Sequence, residues 1–106
     1  MQGEDLRDVI LDGAILQGAM LEGANLSRSD LVVANMTESQ LSEANLSQAN
    51  LAAANLEQAN LSGADLAVAD LSQANLQAAD LNQTNLSGTN LKGANTEGTL
   101  LDEKSV

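Results

Sequence analysis

Carboxylates are the only side chains in this sequence that could carry acid–base or metal chemistry. Fifteen Asp and Glu stand against Arg7, Arg28, Lys92 and Lys104, with no His and no Cys, for a formal net charge of −11. Without imidazole or thiol there is no Ser–His or Cys–His nucleophile pair and no zinc site built on nitrogen and sulfur. Neither a Walker loop nor a GxGxxG fingerprint occurs. Carboxylates alone can act as a general acid–base pair or hold Ca²⁺, but both roles need several of them converging on one point. Spread evenly, the same groups keep an apolar chain soluble, repel nucleic acid and anionic membranes, and favour a basic partner surface.

What positions these acids is a five-residue repeat. With centres at residues 6, 11, 16 and onward to 101, twenty consecutive pentads cover residues 4–103, and eighteen centres are Leu, the exceptions being Met36 and Thr96. The residue two before each centre is Ala in thirteen pentads and Ser or Thr in five. The residue just before the centre is Asn or Asp in fifteen. A helix would rotate successive Leu by about 140°, winding them round its surface. A strand would place them on alternate faces. The pattern therefore requires a chain that turns once per pentad, with Leu and the preceding small residue pointing inward. Counting Met1 as the centre before Gly3, all eight Gly fall two places after a centre, the place for positive φ in a turn such as type II. Gln48, Gln58 and Val68 in that slot imply a different turn in their pentads.

The tandem A(N/D)LXX pattern, as in Ala44-Asn45-Leu46-Ser47-Gln48, resembles the pentapeptide repeat proteins over almost the whole chain. The resemblance implies an all-β fold, a right-handed quadrilateral β-helix with four pentads per coil and about five coils. It leaves short tails at 1–3 and 104–106. Leu26, Leu46, Leu51, Leu56, Leu61, Leu66, Leu71 and Leu76 are the expected core, interleaved with small residues in a tower about 24 Å tall at strand spacing. Asn35, Asn55, Asn75 and Asn95 would stack on one face, where amides in register can hydrogen-bond along the stack. Asp30, Asp65, Asp70 and Asp80 in the same slot would be capped by backbone N–H groups or water.

Four faces divide the acids almost evenly. The first, centred on residues 6, 26, 46, 66 and 86, has Glu4, Asp5, Asp8 and Asp65 beside Arg7 and Arg28. The second has Asp12, Asp30 and Asp70 with Lys92, and the third Glu38, Glu57 and Glu97. The fourth, with Glu22, Glu43, Asp80, Asp102 and Glu103, is the most acidic. No catalytic residue, metal site or cofactor is expected from such a spread.

Departures from the repeat mark a second kind of surface. Ile10, Ile15 and Met20 occupy the slot that elsewhere holds Asn or Asp, Leu100 does the same near the other end, and Val32 and Val33 add to the second coil. Ile10, Ile15, Met20, Val32 and Val33 form an apolar collar, the expected interface for a partner or for a homodimer through the N-terminal coil. The alternative is that the first three fold over the open end of their own chain. Solenoid ends need caps, and the few residues flanking the repeat imply a covered end or a piece of a larger protein.

These features point to a non-enzymatic, rigid acidic interaction scaffold, or to an accessory module of a larger protein. Some members of the family resemble DNA in shape and charge and inhibit DNA gyrase. This chain shares the acidity, but it is shorter, has no aromatic centre residues and has no projecting loop. Direct nucleic-acid or membrane binding is not expected. The absence of a visible signal sequence favours the cytoplasm.

Overall fold

The computed structural model describes residues 3–101. Its ordering element is an isolated parallel bridge between residues twenty apart, repeated from Asp5↔Asn25 to Asp80↔Leu100. The bridges fall into four columns, beginning at Asp5, Ile10, Ile15 and Met20, and each column runs on by twenties. One turn of the chain thus takes four pentads, and each such turn is called a rung below. Among the described residues there is no helix, and the sheet-like pairing consists of single bridged residues.

Each pentad with a rung on both sides commits its backbone in the same way, shown by the one centred on Leu56. Leu56 N–H donates to Asn75 O on the next rung at 2.7 Å, and Gln58 N–H to Gln77 O at 2.9 Å. Asn55 N–H donates to Ala34 O on the rung before at 2.9 Å. Ala59 N–H closes the corner onto Leu56 O at 3.0 Å. Three bonds between rungs and one within the rung account for four of five N–H groups, so a rung gains its stability from its neighbours.

The corner is the same throughout. The residue two after each centre has positive φ in every described pentad, and with Gly3 before the first pentad this makes eight Gly and twelve other residues, between 58° and 74°. The different turn expected for Gln48, Gln58 and Val68 is not found: their φ values are 60°, 59° and 60°. The inter-rung ladder fixes the corner, and the left-handed strain of a non-Gly residue is a smaller term than the hydrogen bonds that a different turn would break. Val33 and Val68 are the costliest cases, because their β-branched side chains are poorly suited to positive φ.

Inside, centre residues alternate with small ones. Leu26, Leu46, Leu51, Leu56, Leu61, Leu66, Leu71 and Leu76 are fully buried, as are Met36 and the Ala between them. Leu6, Leu11 and Leu16 on the first rung and Leu86 and Leu91 on the last are only partly buried, since each packs against one neighbouring rung. Ser29 and Ser39 fill the small inward slot of the second rung, and their buried hydroxyls have no hydrogen-bond partner. Thr84 in that slot instead donates its hydroxyl to Leu81 O at 2.8 Å. The molecule measures 30 × 24 × 22 Å, a block rather than a rod.

Candidate binding surface

The fifth N–H of the pentad explains the Asn and Asp. In all fifteen pentads that have one, its Oδ1 accepts the N–H two residues on, at 2.9 to 3.3 Å. This Asx turn satisfies the one donor that the ladder leaves over. Asn35, Asn55, Asn75 and Asn95 do stack through their bridges. The amide ladder expected along them is absent among the described residues, because each Oδ1 turns back into its own corner, to Thr37, Glu57, Gln77 and Glu97. Two side-chain amides do reach between rungs elsewhere, Asn60 Nδ2 donating to Gln40 Oε1 at 3.3 Å and Gln77 Nε2 to Glu97 Oε1 at 3.5 Å. Asp30, Asp65, Asp70 and Asp80 accept backbone N–H groups in the same manner. The Ser72 hydroxyl, and then its N–H, hold the Asp70 carboxyl below its ordinary pKa.

Of the remaining acids, those on the first face are partly neutralised. Arg7 donates Nε and a terminal nitrogen to the two oxygens of Asp5, each at 2.8 Å. Arg28 reaches one rung back to Asp8 in the same forked fashion, at 2.9 and 3.1 Å. These guanidinium hydrogen bonds are the main cause that lowers both carboxyl pKa values. The other faces stay acidic. Glu22, Glu43 and Asp80 share the fourth face but sit on its first, second and fourth rungs, so the second gap is about 10 Å. Asp102 and Glu103, assigned to the same face, lie outside the described residues. The Glu43 carboxylate lies over Gly63, in the space a Cβ there would need. Glu22 Oε1 is buried and has no hydrogen-bond partner. No three carboxylates among the described residues are grouped to hold a metal ion.

The apolar residues of the first rung project sideways. Ile10 is 77% exposed, Ile15 82% and Met20 55%. They do not fold over the open end, because their slot is the outward one and its backbone bridges Asp30, Asn35 and Gln40. Without an Asx oxygen before them, the N–H groups of Asp12, Gln17 and Glu22 receive no side-chain acceptor. Val33 is exposed while Val32 is half-buried. Val68, named in the sequence only for its turn slot, is a further exposed apolar residue, on the outward corner of the first face. No helix among the described residues is long and apolar enough to cross a membrane.

Comparison with known proteins gives a consistent picture. The family described as Pentapeptide repeat region matches residues 34–106, and that described as Pentapeptide repeats (8 copies) matches residues 1–28. A pentapeptide repeat protein from the cyanobacterium Cyanothece 51142 is 32% identical, covering 95% of this chain and 90% of its own, with a TM-score of 0.48. Another, alr5209 from Nostoc PCC 7120, is 35% identical over 93% of this chain and 85% of its own, also with a TM-score of 0.48. A trypsin-treated form of QnrB1, a plasmid-mediated fluoroquinolone resistance protein, is 20% identical over 95% of this chain and 69% of its own, with a TM-score of 0.52. That last likeness is one of fold. None of the curated proteins matches the chain.

Proposed function

We propose that this chain, which belongs to the pentapeptide repeat family, is a non-enzymatic, rigid acidic scaffold that binds a protein through its outer faces. The solenoid is taken to be a right-handed quadrilateral β-helix of about five coils over residues 4–103, as in the family. One observation carries the functional reading. In a typical pentad two side chains fill the core and the Asn or Asp is consumed by its own corner, which leaves the corner residues to meet a partner. Those corners carry separated carboxylates and a few exposed apolar groups, which suits contact with a basic protein surface rather than chemistry on a small molecule. The test compares proteins retained by the chain and by a Glu22→Lys/Glu43→Lys/Asp80→Lys variant from a lysate of its source cells. The reading expects partners that elute with salt and are lost with the variant. Identical sets on both would contradict it.

Mimicry of DNA toward gyrase is the second reading, favoured by the net charge of −11 and by the fold likeness to QnrB1. At 30 Å the molecule is shorter than one turn of duplex, about 34–36 Å, so a long DNA-like surface would require a homodimer through the first rung. Inhibition of gyrase supercoiling by the chain and not by the charge-reversed variant supports this reading. The same supercoiling with and without high micromolar chain opposes it.

A further inference from the structure

Ile10 and Val33 lie on one face, on neighbouring rungs; Ile10 departs from the repeat, and Val33 is one of two β-branched residues at a positive-φ corner. Ile10 gives up the Asx acceptor that Asp12 N–H would otherwise have, and is 77% exposed. Val33 has a β-branched side chain at φ 61°, where eight other corners use Gly, and is 61% exposed. Neither gains packing in return. An exposed apolar residue is common, but the ladder that fixes the corner asks neither for a β-branched side chain there nor for the loss of an Asx acceptor on the same face.

Acids alternate with these residues. Asp30 is the bridge partner of Ile10. Asp12 precedes Gly13, whose N–H donates to Val32 O at 2.8 Å, so the Asp12 corner sits against the Val32–Val33 corner. The result is a checkerboard, with Ile10 and Asp12 on one rung, and Asp30 and Val33 on the next. On this face the nearest cation in the repeat register is Lys92, three rungs from Asp30.

We propose that this patch docks a partner segment that is both cationic and apolar, placing aliphatic side chains on Ile10 and Val33 and Lys or Arg on Asp12 and Asp30. The proposal rests on the scaffold reading and names the partner chemistry for one face. Charge selects the occupant: a second copy would bring its own net charge of −11 against the same acids.

The test is a titration of the full chain with a synthetic peptide of alternating Leu and Lys, followed by amide chemical shifts at several salt concentrations. The expected result is shifts centred on Ile10, Asp12, Asp30 and Val33, with affinity that falls as salt rises. Ile10→Asn/Val33→Gly should weaken binding by about tenfold or more, the scale of a hot-spot truncation. Both replacements are residues that the repeat uses in those slots, so the fold is kept. Asp12→Asn/Asp30→Asn should also weaken it, since Asn retains the corner hydrogen bond at residue 30 and removes the charge. Val68→Gly, at a corner on the first face, should leave affinity unchanged. Shifts spread over all four faces, or equal affinity in the double variants, would overturn the proposal while leaving the scaffold reading in place. Patch shifts that follow protein concentration without peptide would also overturn it, by identifying a second copy as the occupant.

Discussion

Arg28 grips Asp8 across twenty residues of sequence, through two forked hydrogen bonds of 2.9 and 3.1 Å between adjacent rungs. Both residues hold the positive-φ corner of the first face. The slot that strains the backbone is therefore also the one whose side chains reach from rung to rung, as Glu43 does over Gly63 on the fourth face.

Because the Asp8 carboxyl is held below its ordinary pKa by Arg28, the pair stabilises the folded state above the unfolded carboxyl pKa of about 3.9. The contribution is lost as pH falls through the lower folded value. The effect is small, since both groups are exposed and screened by salt. Thermal midpoints of the wild type and Arg28→Gln should differ slightly at neutral pH and converge at acid pH. A gap that widens on acidification would contradict the assignment.

Leu56→Ala removes a fully buried centre from the third rung. With rungs above and below it, the core has little freedom to collapse, and the loss should be about 2–5 kcal/mol by urea unfolding. An unchanged midpoint would mean that the centre does not point inward.

Ser39→Ala should have the opposite sign. The Ser39 hydroxyl is buried without a hydrogen-bond partner, in a slot where Ala is the usual residue. Its removal should raise stability by about 1 kcal/mol or more, the cost of an unsatisfied buried polar group. A lower midpoint in Ser39→Ala would show that the hydroxyl has a partner in solution.

Asn55→Asp and Asn55→Ala separate the two roles discussed for that residue. Asp keeps the acceptor for Glu57 N–H, so its stability should stay near wild type, as Asp65 and Asp70 do the same work in their own pentads. Ala loses the bond and should cost about 0.5–1.5 kcal/mol. Equal losses in both variants would favour the amide ladder instead.

The sequence carried most of the architecture because the rung register and the repeat are the same fact: a twenty-residue turn leaves every Leu in phase, and a fifth-residue period fits neither helix nor strand. What it hid were features that depend on energies of similar size. Gln58 and Val68 gave no sign that their corners match those of Gly63 and Gly88, because the winning term, the ladder, lies on other rungs. The Asn column suggested a ladder of amides because its stacking was legible, whereas the choice between a bond along the stack and one into the corner is a matter of side-chain geometry. On the surface, Ile10, Ile15 and Met20 stood out by breaking a pattern. Val68 did not, since its slot accepts almost any residue. The Arg28–Asp8 and Glu43–Gly63 relationships are contacts between rungs, visible only once the twenty-residue register is applied to corners as well as to centres.

Amide hydrogen exchange on the full chain tests most directly whether each Asn and Asp of the repeat is held by its own corner, leaving the outer corners to do the binding. Slow exchange is expected at Glu57 and Gln77, whose N–H groups are held by Asn55 and Asn75. Faster exchange is expected at Asp12, Gln17 and Ser42, which follow Ile10, Ile15 and Gln40 and have no such acceptor. Uniform protection across both groups, or rapid exchange at Glu57 and Gln77, would contradict this and return the Asn and Asp slots to the list of places where a ligand could bind.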